Sequence, residues 1–336
     1  MEFVLSSFPV LVFLAVLFLL DSFRLIRKQW LAFSLMGGIL LALAAYFVNT
    51  FLASSLELNH QVLSRFVAPL TEESLKALPI LFLLYRRAAG FLIDAATYGF
   101  AVGTGFALTE NLFYISSIGK ETSLYLWVLR GFGAAVMHGG TAFLFAGIMM
   151  AGIQKGKNTA LHLFPAFIIA VFLHSLFNHF LIHILLQTVL ILLLVPLLMM
   201  LMIRLTQKDV HQWLEIGFSD EIEMLRMIRR GKFTESKAGR YLYSLREYFS
   251  PEVILDIYCY IEIWLELSVK AKRNLMLREM GMEGLGEDGL EEKLKEWEHL
   301  RQRIGKMGEM AIRPLLPSQE RDLWKMQLLK QKASLV

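Results

Sequence analysis

Two adjacent carboxylates and a lysine, Glu72, Glu73 and Lys76, stand inside an apolar stretch running from about Val62 to Leu84. A charge at the centre of a bilayer helix costs at least about 2.5 kcal/mol, so such residues face a protein interior, find partners and serve a function. Helical spacing puts Lys76 one turn from both acids, so the lysine can partner either. Further groups of the same kind follow along the chain: Glu110 with Asn111, then His138, then His174 with Asn178. Amide hydrolysis needs such a set, namely a base for water, an acid for the leaving amine and donors for the developing oxyanion. The histidines can position the water or stabilise the oxyanion, and Asn178, at i+4 from His174, can hold that ring in one tautomer. The same groups also suit a metal, with Glu73, His138 and His174 binding zinc and one position left open for water. No His-Glu-x-x-His helix is present to favour that choice. A glutamic mechanism without a cofactor and a zinc-dependent one both stay open.

The elements that carry these groups read as membrane spans. The chain has 336 residues, of which 56% are hydrophobic. Several apolar runs reach the ~20 residues that cross a ~30 Å hydrocarbon core. Seven spans can be drawn, roughly Phe3–Leu20, Trp30–Leu52, Val62–Leu84, Phe91–Ile115, Leu124–Met150, Leu161–His183 and Leu185–Ile203. The first follows Glu2 rather than a basic region and lacks a small-residue cleavage site, so it reads as a retained span and not a signal peptide. Arg24, Arg27, Lys28, Arg86, Arg87, Lys155, Lys157, Arg204 and Lys208 fall in one set of connections, and only Arg65 and Lys120 in the other. The positive-inside rule then predicts an outside N-terminus and a cytoplasmic C-terminal region, in a multi-pass protein of the cell membrane. With this topology Glu72 and Glu73 lie about 15 Å below the outer surface, at 1.5 Å per residue. Glu110, His138 and His174 fall between the mid-plane and that surface, which points to one shared site.

Glycines crowd the fourth and fifth spans, and Gly99 with Gly103 forms a GxxxG pair that lets helix backbones approach closely. Residues 1–204 read as the membrane domain, and 205–336 as a helical domain. Through Ile203 there are 11 Lys+Arg and 8 Asp+Glu, and beyond it 23 and 22, so the second part is nearly charge-balanced. That balance gives no reason to expect a nucleic-acid partner. Ser250-Pro251-Glu252 is a helix start, with an apolar stripe of Val253, Ile254, Ile257, Ile261 and Trp264 behind it. Leu290, Leu294, Trp297 and Ile304 repeat the spacing, a glycine-rich loop lies between Gly281 and Gly289, and a last helix is expected from Ser318. The single cysteine, Cys259, excludes an intrachain disulfide and a thiolate metal cluster. The fold expected is therefore all-α, a membrane bundle of about seven helices with a C-terminal helical cytoplasmic domain.

Taken in order, Glu72-Glu73-x-x-Lys76, Phe106-x-x-x-Glu110-Asn111, His138 and His174-x-x-x-Asn178 resemble the motifs of the PrsW intramembrane proteases. The likeness covers about residues 62–180, and it extends to the CAAX-prenyl endopeptidases and the multi-spanning scaffold subunit of gamma-secretase. It implies an endopeptidase cutting membrane-anchored, single-pass proteins near the outer face, as in site-1 cleavage of an anti-sigma factor. Catalytic residues would be Glu72, Glu73, Glu110, His138 and His174, supported by Lys76, Phe106, Asn111 and Asn178. The CAAX enzymes carry Glu-Glu-x-x-x-Arg and Phe-x-x-x-His. Lys76 stands one position earlier and Glu110 replaces that histidine, which argues against a prenyl-protein substrate. Two other classes share the residue pattern: a proton- or ion-coupled carrier, which uses intramembrane Glu and His relays, and a non-catalytic scaffold. No inverted repeat supports the carrier.

Overall fold

The computed structural model describes residues 2–21, 25–118, 124–154, 159–215, 218–282 and 289–316. Among them every regular element is helical. The chain forms two compact units, Met1–Lys208 and Asp209–Val336.

The first unit holds α1 (Glu2–Leu19), α2 (Lys28–Ser55), the single turn α3 (His60–Val62), α4 (Ala68–Tyr85), α5 (Leu92–Ile118), α6 (Leu124–Leu129), α7 (Val136–Gln154), α8 (Thr159–Asn178) and most of α9 (Ile184–Glu215). Two wide π-helical turns, Leu63–Val67 and Arg130–Ala135, lead directly into α4 and α7. Among the described residues four helices are long and apolar enough to cross a membrane: Lys28–Ser55, Leu126–Gln154, Leu161–Asn178 and Ile184–Gln212; Phe3–Leu19 is shorter. The expected spans at 62–84 and 91–115 are indeed helical, as α4 and α5, but stand outside that set. Glu72, Glu73 and Lys76 interrupt α4, while α5 mixes glycine and threonine with Asp94 and Glu110. α4 buries the face of Glu72, Glu73 and Lys76 but leaves Leu70, Leu78 and Phe82 exposed, whereas α5 is sheltered, with Ala96, Phe100, Ala101 and Val102 wholly buried. A helix enclosed by others need not offer lipid an apolar face.

Contacts fix the helix directions around α5. α1 runs antiparallel to it, since Asn111 donates to the Ser6 carbonyl at 2.8 Å while Phe13 meets Phe100 at 6.4 Å. α2 runs parallel to it, from the Arg27 N–H on the Tyr98 hydroxyl (2.8 Å) to Tyr46 stacked on Phe113 (4.9 Å). Backbone contact between α5 and α7 depends on Gly103, where an added Cβ would stand 2.1 Å from the His138 carbonyl oxygen. Seven-residue spacing governs the other face of the α7 span. Gly133, Gly140 and Gly147 there leave room for side chains of Thr188, Val195 and Met202 of α9.

Asp94 is 1% exposed and accepts the N–H groups of Gly90 (2.7 Å) and Phe91 (2.9 Å) at the start of α5. The carboxylate satisfies donors that a helix start leaves unpaired.

In the second unit α10 (Phe218–Arg229) ends before Gly231, whose φ of +69° is the left-handed conformation glycine favours. After α11 (Lys237–Ser244), α12 (Pro251–Glu279) starts as its sequence predicts, with the Ser250 hydroxyl capping Val253. Ile257, Tyr260, Ile261, Trp264 and Leu265 bury one face of α12, and Trp297 of α13 (Leu290–Ile312, broken at Gly305) stacks on Tyr260 at 5.7 Å. The expected helix from Ser318, residues 283–288 of the glycine-rich loop, and Arg24, Lys120, Lys155 and Lys157 lie outside the described residues.

Candidate active site

α4, α5, α7 and α8 bring the acids and imidazoles together. Glu73, on the buried face of α4, is the hub. Its Oε1 accepts Lys76 Nζ at 2.5 Å, His174 Nδ1 at 2.7 Å and Thr141 Oγ1 at 3.2 Å. Three helices thus converge on one oxygen, and of the two acids within reach Lys76 pairs with Glu73. Glu73 and Lys76 are only 3% and 1% exposed, so each charge depends on the other inside the bundle.

Hydrogen-bond chemistry then sets the rings. Lys76 can only donate, so His138 Nδ1 accepts from its Nζ at 3.1 Å and Nε2–H donates to Glu110 Oε2 at 3.0 Å. His174 gives Nδ1–H to Glu73, which leaves its Nε2 bare and 3.8 Å from Glu72 Oε2. The two rings meet edge to face at 4.8 Å. Phe106 closes the space beneath, 5.2 Å from the His138 ring and 5.2 Å from Lys76 Nζ. On the outer flank Arg130 pairs with Glu110 (3.1 Å) and donates from Nε to Asn111 Oδ1 (2.9 Å). Arg130, which by length alone can snorkel outward, is turned to the acid. Glu110 is the most open of the acids, its side chain 27% exposed.

Two expectations need correction. Asn178 does not hold His174; its amide donates to the Ser64 carbonyl at 2.8 Å, tying α8 to the π turn before α4. Glu73, a charged and therefore stronger acceptor, holds the ring instead at 2.7 Å. Nor does Glu73 belong to the group of candidate metal ligands; its Oε1 is taken by Lys76, His174 and Thr141. Among the described residues the group able to hold a metal is Glu72, His138 and His174, with one ligand atom from each lying within 4.8 Å of the others. One carboxylate and two imidazoles form a donor set that catalytic zinc uses, and a ligating histidine typically gives its other N–H to a carboxylate, as His174 does to Glu73. Bonds of about 2.1 Å need donors about 3.4 Å apart in a tetrahedron, so this trio fits in type and must draw inward. His138 would also have to release Lys76 or Glu110.

Sequence reasoning missed Asn49 and Thr141. Asn49 of α2 donates to Glu72 Oε1 at 3.2 Å. An amide in an apolar span, and a threonine three residues after His138 on the same helix, were the available signals.

No curated protein and no solved structure matches the chain. The family model described as PrsW family intramembrane metalloprotease matches residues 27–204, just over half of the sequence and the whole of α2 to α8. On this coverage, added to four described helices apolar enough to span a membrane and a buried Glu/His cluster, the chain belongs to the PrsW family of intramembrane metalloproteases and is a membrane protease.

Proposed function

We propose that the protein is an endopeptidase that cuts single-pass, membrane-anchored proteins near the outer face, as in site-1 cleavage of an anti-sigma factor, with membrane lipid as its solvent. In this reading residues 1–204 cross the membrane seven times from an outside N-terminus, with the motif core at 62–180. Residues 205–336 are then a cytoplasmic helical domain. The carrying observation is the division of labour between adjacent acids: Glu73 takes three donors on Oε1, while Glu72 Oε2 and His174 Nε2 face each other across 3.8 Å.

A gap of that width suits a water held between an acceptor and an imidazole. Glu72 takes the proton as the water oxygen adds to the scissile carbonyl, and returns it to the amine as the C–N bond breaks. His138, kept in its Nε2–H form between Lys76 and Glu110, carries a donor that can turn to the oxyanion. Glu73 orients His174, Lys76 balances Glu73, and Phe106 keeps bulk water from the pair. Asn111 steadies Arg130 on Glu110, and Asn178 holds α8 against the start of α4. A zinc would be held by Glu72, His138 and His174, and when bound would make the water more acidic and polarise the carbonyl. Glu110, half-open beside His138, would then take the proton role.

The test is cleavage of a single-pass reporter by the purified protein in proteoliposomes. Glu72→Ala, Glu73→Ala and His174→Ala should each abolish it. Cleavage at the wild-type rate in all three would overturn the reading.

A further inference from the structure

We propose that Asn49 is a positioning residue for Glu72, and that with Thr71 it decides which carboxylate oxygen is presented to His174; the inference rests on Glu72 being a working group of the protease site. Asn49 lies on α2, whose neighbouring side chains Phe47 and Phe51 are 69% and 67% exposed, as suits a face in contact with lipid. An amide there is costly unless both its ends are paired, and both are. Nδ2 donates to Glu72 Oε1 at 3.2 Å, and Oδ1 accepts Thr71 Oγ1 at 2.5 Å. The carboxylate fixes the sense of the amide, because an acceptor can only be met by the NH2 end. Oδ1 must then face Thr71, whose hydroxyl also reaches the Ala68 carbonyl at 3.0 Å but lies nearer the asparagine. The local chain of donors therefore runs one way only, Thr71 to Asn49 to Glu72.

The terminal torsion of a glutamate is broad, so a free Glu72 carboxylate swivels and exchanges its two oxygens. Asn49 removes that freedom. With Oε1 committed, Oε2 is the atom left 3.8 Å from His174 Nε2. Glu73 is arrested by its own helix and by α7 and α8; Glu72 has this clamp from α2. No other side chain on α2 is hydrogen-bonded to the acid pair among the described residues.

Full-length variants in proteoliposomes with a single-pass reporter test this. Asn49→Ala and Asn49→Asp should each lower kcat about 10- to 100-fold, the usual loss when a group that orients a working ligand is removed. KM should stay within about twofold and the thermal midpoint close to wild type, because the substrate-facing surface and the packing of α2 are kept. Thr71→Val should lower kcat in the same direction, with Thr71→Ser recovering most of that loss. In a Glu72→Gln background Asn49→Ala should do nothing more, since the oxygen it orients is gone. Wild-type kcat in Asn49→Ala beside an inactive Glu72→Gln overturns the inference alone, as does equal loss of stability and activity with Thr71→Ser no better than Thr71→Val. Wild-type cleavage by Glu72→Gln overturns the underlying site reading with it.

Discussion

Gly103→Ala is the sharpest test of how the site is held. Its new Cβ would stand 2.1 Å from the His138 carbonyl oxygen and 2.7 Å from the Gly139 Cα. Close carbon–oxygen contacts between helices settle at about 3.3 Å, so α5 and α7 must part by about 1.2 Å at the residue that carries the imidazole. Overpacking of this kind costs roughly 1–3 kcal/mol of stability. A misplacement near 1 Å costs on the order of 10²-fold in rate, or about 2.7 kcal/mol of transition-state binding. Gly38→Ala is the matched control. Its Cβ would lie 2.0 Å from the Val102 carbonyl oxygen, so the overlap is similar, yet the displaced α2 brings only Asn49 to the site. Reporter cleavage and thermal unfolding measured side by side should show similar destabilisation, with the loss of kcat about tenfold greater for Gly103→Ala. A folded Gly103→Ala protein cutting within about threefold of wild type, or equal losses in the two variants, would refute the reasoning.

Removing the Lys76 charge by Lys76→Met leaves Glu73 buried without its cation, which should cost about 3–5 kcal/mol in detergent unfolding. The double variant Lys76→Met/Glu73→Gln should regain most of that stability and stay inactive, whereas a fully stable single variant would contradict the pairing. Metal analysis of the active protein separates the two mechanisms: bound zinc that is lost in Glu72→Ala, His138→Ala and His174→Ala, with cleavage stopped by chelation, selects the metal-dependent one, and activity that outlasts the metal selects the glutamic one. In the second unit, burial alone pushes the Glu266 carboxyl up, but hydrogen bonds from Lys270 and Lys293 outweigh it and hold the group below its ordinary value of 4.5. A depressed folded-state value means stability that is present above 4.5 and lost as pH falls through the folded value. Glu266→Gln should therefore destabilise the protein by at most about 1 kcal/mol at neutral pH, and the difference from wild type should vanish in acid; a gap that widens on acidification would reverse the sign.

Much of the site was legible because membrane chemistry makes polar residues conspicuous. Glu72, Glu73, Lys76, Glu110, His138 and His174 stand out against apolar neighbours, and helical spacing already placed Lys76 beside both acids. Which acid it would choose was not legible, since i+3 and i+4 are equally near on a bare helix. The choice is set by His174 and Thr141 arriving from α8 and α7 on the same oxygen. Asn178 misled for a related reason: i+4 spacing puts it on the face of His174, but its amide donates to the Ser64 carbonyl brought up by the turn before α4. The glycines of α5 announced close packing, while the partner at each contact came only with the fold. In the second unit the Ser250-Pro251 start was readable because caps are local, whereas the stacking of Trp297 on Tyr260 joins residues far apart in sequence.

The π turns at Leu63–Val67 and Arg130–Ala135 have a consequence for phase. Each holds one residue more than an ordinary turn, and each sits directly upstream of a helix that bears working side chains. Were either turn to tighten to α with all its residues kept, everything downstream would rotate by about 100°. Glu73 would then swing from the interior toward the acyl chains, or His138 would turn away from its lysine, with every side chain of the cluster still in the sequence. The alignment of this centre is thus written into the winding of two short segments that contain none of its acids or imidazoles.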